Sequence, residues 1–191
     1  MLSSSRLFFK EYEQDDFEHL YSIFSNARVM KYAYLDQVTD REDLKSYFDN
    51  ILQNNKTTSN RKAYEYAIYL ADSNQYIGFA DIRIHKQNDS GGCGDIGYFL
   101  LPDFWGLGYA TEIANTLLKI CFTSLGLHKA SACCNTNNTS SEHIMQKIGM
   151  MKEGEIRMTR YKDGRWDNEL TYGILIEEWK QFVRESKTNR I

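Results

Sequence analysis

Leu100-Leu101-Pro102-Asp103-Phe104-Trp105-Gly106-Leu107-Gly108-Tyr109-Ala110-Thr111-Glu112 is the stretch on which the reading of this chain turns. An apolar strand from Ile96 to Leu101 stops at Pro102, two glycines make a tight turn, and the strongest helical pattern in the sequence begins. In that helix Ala110, Ile113, Ala114, Leu117, Leu118, Cys121 and Phe122 keep one apolar stripe without a miss, and the pattern ends near Gly126. A strand-turn-helix junction of this kind points free backbone N–H groups outward at the positive end of the helix, and glycines let a phosphate approach the backbone. A pyrophosphate is the natural ligand. A dinucleotide fingerprint needs a third glycine where Thr111 stands and an acid about 20 residues further on, yet no acid lies between Glu112 and Glu142. A P-loop needs Gly-Lys-Ser/Thr at the end of the turn, and no lysine is there. Both of those readings fall.

On the N-terminal side, Leu7, Phe9 and Glu11 suggest a strand, and Asp15-Asp16 can cap a helix carrying Phe17, Leu20, Tyr21 and Phe24. Thr39 and Glu42 form a capping-box pattern before the stripe Leu44, Tyr47, Phe48, Ile51 and Leu52, which predicts a second helix to about Asn54. The period then changes to two. Tyr64, Tyr66, Ile68 and Leu70 alternate, Asp72-Ser73-Asn74 turns, and Tyr76 to Ile84 alternates again, a hairpin followed by a polar, glycine-rich loop from Gln87 to Gly94. Alternating aromatics on a strand point first to a core, although Tyr64, Tyr66 and Tyr69 could also line a groove.

On the C-terminal side, Lys129 to Cys134 reads as a strand and Ser141 to Ile148 as a short helix closed by Gly149. Ile156 to Tyr161 and Glu169 to Ile176 form a hairpin around Asp163-Gly164, and Glu177 to Glu185 a terminal helix. The expected class is mixed α/β (α+β), a largely antiparallel central sheet of about seven strands flanked by about four helices plus a C-terminal helix.

Composition agrees with a folded chain. The sequence has 191 residues, 42% hydrophobic and 26% charged, and a chain of that length buries roughly 70% of its unfolded surface, so it needs neither disulfide nor metal to hold a core. With 23 Lys+Arg against 26 Asp+Glu the net charge is −3, which disfavours a nucleic-acid partner. Met1 to Arg6 lacks the pattern of a signal peptide, and no run is long and apolar enough to span a bilayer. A cytoplasmic location without a membrane partner is expected, with Cys93, Cys121, Cys133 and Cys134 as thiols. One proline and no linker predict a single domain over residues 1–191.

The turn resembles the GNAT superfamily of acyl-CoA-dependent N-acyltransferases. Its Trp105-Gly106-Leu107-Gly108-Tyr109-Ala110-Thr111-Glu112 string is similar to the branch that acetylates N-terminal amines of ribosomal proteins. Asn138-Thr139-Ser140-Ser141, Ile144 to Met150 and Glu153-Gly154 resemble a second family block, and Asp163-Gly164-Arg165-Trp166-Asp167 with Leu175 and Glu178-Trp179 a third. Arg6-Leu7, Asp15-Asp16 and Val29-Met30 fit the opening. Two residues depart from the wider pattern: Asp103 stands where most of the superfamily has Gln or Arg, and Met145 stands where many members place a tyrosine that protonates the departing thiolate.

The resemblance implies an acetyl-CoA-dependent N-acetyltransferase without metal, the amine attacking the thioester directly. Acetyl-CoA would lie where the strand ending at Leu101 splays from the strand starting near Lys129. Backbone groups of Phe99, Leu100 and Leu101 would pair with pantetheine, and N–H groups there would polarise the thioester carbonyl. Trp105, Gly106, Leu107, Gly108, Tyr109, Ala110 and Thr111 would form the rest of the cradle. Ser141 would donate to the thiolate and Asn138 would bind pantetheine, although both types also simply cap helices. Asp95 is the first candidate for the base, with His85 and Glu153 behind it. A protein N-terminus is the favoured acceptor, a small-molecule amine stays open, and a homodimer is compatible with everything above. The competing reading, motivated by Met145, is a catalytically silent acyl-CoA-binding sensor.

Overall fold

The computed structural model describes residues 2–188. Eight strands form one sheet in the order β1-β2-β3-β4-β5-β6-β8-β7, with β1 Leu2–Ser3, β2 Leu7–Glu11, β3 Ala63–Leu70, β4 Tyr76–Asn88, β5 Gly91–Leu100, β6 Lys129–Asn135, β7 Met151–Lys162 and β8 Arg165–Leu175. All neighbours run antiparallel except β5 and β6. The helices are α1 Phe17–Phe24, α2 Ala27–Met30, α3 Arg41–Asn55, α4 Tyr109–Lys119, α5 Thr139–Lys147 and α6 Ile176–Thr188. None is long and apolar enough to cross a membrane. The fold is mixed α/β with a mostly antiparallel sheet.

The sheet carries a core on each face. Leu20, Ile23 and Phe24 of α1 and Leu44, Phe48 and Ile51 of α3 pack with Tyr12, Ala67, Tyr69, Tyr76 and Phe79 on one side. Ile113, Ala114, Leu117 and Leu118 of α4, with Met145 of α5, pack with Ile68, Ile82, Ile96 and Tyr172 on the other. Period-two alternation in the strands therefore feeds two apolar layers, each closed by a helical stripe. Tyr66 and Tyr69 belong to these cores.

Several sequence expectations shift. A two-residue strand, β1, pairs Leu2 with Phe9 and Ser3 with Phe8, and α2 forms after Asn26, whose side chain accepts from the N–H groups of Arg28 and Val29. Both are too short to show periodicity. The cap of α3 is Asp40, not Thr39: its carboxylate takes the Glu42 N–H at 3.0 Å. The expected Gln87 to Gly94 loop is mostly ladder, with Gln87 opposite Gly92 and Asn88 opposite Gly91, so β5 begins well before Ile96. After α4 the backbone widens into a π-helical turn, Ile120–Ser124. That turn carries three consecutive apolar residues, Ile120, Cys121 and Phe122, into the core.

The feature that positions the site is the β5–β6 contact. These parallel strands pair only at Cys93↔Lys129, Gly94↔Ala130 and Asp95↔Ser131. Beyond those pairs β5 runs on to Leu100 and β6 to Asn135 without bonding, which opens a gap in the middle of the sheet.

Candidate active site

The gap leads directly to the glycine turn. Pro102 opens a short 3₁₀ turn, Pro102–Phe104, and the Trp105 indole N–H returns to the Leu100 carbonyl at 2.8 Å. Trp105 is 44% exposed, with the Arg28 guanidinium 5.2 Å above its ring. Gly106 and Gly108 have φ of +75° and +81°, values that L side chains rarely adopt. A Cβ at Gly106 would meet nothing within 4 Å, and one at Gly108 would meet only Arg6 Nη2, at 3.5 Å. Gly108 is also the N-cap of α4, so no side chain occupies the first-turn N–H groups. The turn therefore presents an open, donor-rich concavity at the positive end of a helix.

Glu112 in that first turn would oppose an anion, but it is fully engaged. Its carboxylate accepts from Ser4 Oγ at 2.7 Å, Ser5 Oγ at 3.1 Å, Arg6 N at 2.8 Å and Arg6 Nε at 2.7 Å. Burial alone would raise its pKa, and these donors instead hold it below the usual carboxylate range. Arg6 also donates to the Leu107 carbonyl at 3.1 Å and lies over the Tyr109 ring, which ties the residue just before β2 to the turn.

Pleating decides which groups of β5 face the gap. The Leu101 N–H donates to the Ile77 carbonyl of β4, and alternation turns Phe99 the same way, where its carbonyl lies against Gly78. The expected pantetheine contacts at Phe99 and Leu101 are thus corrected: Phe99 and the Leu101 N–H are turned to β4, and the Leu101 carbonyl accepts the Phe104 N–H at 3.0 Å. Leu100 and Tyr98 direct theirs toward β6. Across the gap, Asn138 caps α5 by accepting the Ser141 N–H at 3.2 Å. The Ser141 side chain lies beside the Tyr98 phenol and the Cys134 thiol. Met145, one turn further on, is buried in the core.

On the opposite face of β5 lies an acidic row. Glu65 of β3 stands opposite Asp81 of β4, and Asp81 opposite Gly97 of β5. A Cβ at Gly97 would fall 2.3 Å from Asp81 Oδ1, so the glycine makes room for that carboxylate over the gap-lining strand. Arg83 donates to Asp81 at 3.0 Å and to the Tyr47 hydroxyl at 3.2 Å. Glu65 is 2% exposed, with Oε2 unpartnered among the described residues. Burial first, and then Asp81, push its carboxyl up to about 7, and burial raises Asp81 too. Sequence reasoning missed both, although an acid at an inward position of an apolar strand was the available signal.

Asp95 does not stand at a strand start. It is inside β5, opposite Arg83 and Ser131, half-exposed, and bonded to His85 Nε2 at 2.6 Å. The structure thus joins two residues that the sequence offered separately. Glu153 is elsewhere, paired with Lys129. At the far end of this face Lys162 donates to the carbonyls of Met30 (2.6 Å) and Leu35 (2.8 Å), and Arg160 to that of Tyr32 (3.3 Å), which fixes the segment after α2 against the β7–β8 hairpin. A concavity of about 200 Å³ is lined there by residues including Tyr34, Arg160 and Trp166. Among the described residues no group of three or more His, Cys, Asp or Glu could hold a metal.

The family model of the acetyltransferase (GNAT) domain matches residues 6–151. The uncharacterized N-acetyltransferase YnaD of Bacillus subtilis (strain 168) is 31% identical over 178 residues, covering 93% of this chain and 98% of that one. The putative ribosomal N-acetyltransferase YdaF of the same organism is 27% identical over 52% of this chain and 54% of its own length. A spermidine N(1)-acetyltransferase of Escherichia coli (strain K12) is 21% identical over 92% and 88%. Among solved structures, a GNAT-family acetyltransferase from Bacillus anthracis superposes with a TM-score of 0.75 at 29% identity, covering 92% and 98%. The spermidine N-acetyltransferase from Vibrio cholerae, in complex with CoA and spermine, superposes with a TM-score of 0.80 at 19% identity, covering 93% and 99%. The glycine turn, the split between β5 and β6 and the match along the chain lead to one conclusion: this protein belongs to the acetyltransferase (GNAT) domain family and is an acetyl-CoA-dependent N-acetyltransferase.

Proposed function

We propose that the protein moves an acetyl group from acetyl-CoA to the primary amine of a small cationic molecule, of the polyamine class, within one acyltransferase domain. The observation that carries the acceptor is the acidic row on the far face of β5, where Asp81 lies over Gly97 and Asp95 stands at the vertex of the gap. Carboxylates there attract an ammonium group and orient it toward the strand along which the thioester would lie. Arg83 offsets part of that charge but leaves Asp95 to His85 alone. The spermidine acetyltransferase relatives support the same class.

The residues fit acetyl-CoA. The open glycines and uncapped N–H groups from Gly106 to Thr111 suit the pyrophosphate, Trp105 and Tyr109 flank it, and Ala110 is small enough to leave the helix end accessible. The Leu100 N–H and the Tyr98 backbone groups would meet pantetheine, the Leu100 carbonyl being taken by the Trp105 indole, with Asn138 keeping the start of α5 in place. Acetyl-CoA supplies an activated thioester. His85 and Asp95 form the proton-accepting pair: Asp95 holds Nε2, and Nδ1 is the nitrogen left to take the ammonium proton, directly or through water. Ser141 stands on the leaving-group side of the gap.

A second reading, acetylation of protein N-termini, is favoured by the match to the putative ribosomal N-acetyltransferase and by the Asp163 to Asp167 turn. Thiol release from acetyl-CoA, followed with spermidine, with an Ala- or Ser-initiated peptide and with an uncharged primary amine, separates the two. Spermidine is expected to turn over fastest. Turnover of the peptide with none of spermidine would overturn the small-amine acceptor.

A further inference from the structure

The segment that forms the glycine turn brings no positive side chain of its own. No Lys, Arg or His occurs between Lys86 and Lys119, and the charged side chains from Leu100 to Glu112 are both acids, Asp103 and Glu112. Backbone N–H groups and the helix end supply only partial charges at such a turn, whereas a pyrophosphate carries a full negative charge on each phosphate. Any full compensating charge has to come from another part of the fold.

Arg6 brings such a charge to the turn from 101 positions away in sequence. Its Nε donates to Glu112 Oε2 at 2.7 Å, its Nη1 to the Leu107 carbonyl at 3.1 Å, and its Cζ lies 4.3 Å from the Tyr109 ring centroid. Those three contacts fix the plane of the guanidinium. Nη2 has no hydrogen-bond partner among the described residues and lies 3.5 Å from the position a Gly108 Cβ would take, on a side that the glycine leaves open. The ion pair with Glu112 does not use up the charge, because that carboxylate also accepts from Ser4 Oγ, Ser5 Oγ and the Arg6 backbone N–H. The Arg6 side chain is still 46% exposed. Arg28 also approaches, but it rests over the Trp105 ring and, among the described residues, bonds to nothing in the turn. We infer that Arg6 binds the pyrophosphate of acetyl-CoA through Nη2 and so supplies, from the segment before β2, the positive charge that the turn lacks; this rests on the cosubstrate reading of the turn. A guanidinium already held by two hydrogen bonds and a ring loses little freedom when it takes a phosphate oxygen.

Calorimetric titration with CoA tests this without any acceptor. Removing the guanidinium alone strands Glu112, so the comparison is between Glu112→Gln and the double variant Arg6→Gln/Glu112→Gln, neither of which leaves an unpaired acid at the turn. Glu112→Gln is expected to bind CoA at least as tightly as the wild type. The double variant is expected to bind roughly ten- to a hundredfold more weakly than Glu112→Gln, and to lose the same factor for 3′-dephospho-CoA, which keeps the pyrophosphate. Arg6→Lys in the Glu112→Gln background keeps the charge and is expected to recover part of that loss. Arg41→Gln, which removes the same charge from an exposed pair with Glu18, should leave CoA affinity within about twofold. Equal affinity of the double variant and Glu112→Gln would overturn the inference, because Arg6 would then act only by offsetting Glu112. So would a loss seen with CoA and absent with 3′-dephospho-CoA, which would assign Arg6 to the 3′-phosphate, or binding by the Lys variant as weak as by the Gln variant, which marks a packing role. Failure of the wild-type protein to bind CoA would remove the cosubstrate reading and the inference with it, an outcome distinct from tight binding that is indifferent to Arg6.

Discussion

The turn that opens α4 and the acidic row beneath α3 are both reached from β5, and they are built in opposite ways. The turn is local: Trp105 to Thr111 are consecutive, two glycines set its shape, and the helix that follows aligns its N–H groups. The acidic row is assembled by register. Glu65, Asp81 and Asp95 come from three strands, and they become neighbours only because Glu65 pairs with Asp81 and Arg83 with Asp95. On the proposed reading, a common cosubstrate is cradled by one transferable segment, while the acceptor is chosen by positions that no contiguous motif records.

If the two regions divide the work in this way, changes in one should leave the other's ligand alone. The largest effect is expected at Asp95→Asn, which leaves His85 without its orienting carboxylate. Transfer to spermidine should fall about 10²-fold or more, with acetyl-CoA affinity, measured by calorimetry, within about twofold. A matching loss of acetyl-CoA binding would break the division. Gly108→Val should do the reverse. It forces a β-branched residue to a φ of +81° at the end of the cradle and is expected to weaken acetyl-CoA by roughly ten- to a hundredfold, with the spermidine KM little changed.

The smallest effect sharpens the comparison from the stability side. Glu65 has a folded pKa raised to about 7 from an ordinary 4.5, so the unfolded chain loses its proton first as pH rises. Stability from the neutral carboxyl is complete below pH ~4.5 and is lost as pH climbs through about 7. Glu65→Gln should therefore flatten the fall in urea midpoint between pH 5 and 7.5. An unchanged slope would show that Glu65 is not the group responsible.

This contrast also explains what the sequence made legible. The glycine turn, the α4 stripe and the strand alternation are short-range patterns, and the structure keeps them as read. The cap of α3 moved by one residue because Asp40 and Thr39 are both good caps, and only backbone geometry chooses between them. The polar glycines from Gly91 to Gly94 read as a loop because nothing local reports that β4 pairs with them. The direction of Phe99 and Leu101 likewise depends on which residues of β4 they face, a register fact.

The central claim is that this site transfers acetyl from acetyl-CoA to a small cationic amine. Its most direct test is to incubate the purified protein with isotope-labelled acetyl-CoA in a lysate stripped of endogenous CoA and to locate the label by mass spectrometry. Label is expected in soluble cationic amines above a no-enzyme control. Label confined to protein N-termini would contradict the acceptor, and no label despite bound acetyl-CoA would contradict the transfer itself.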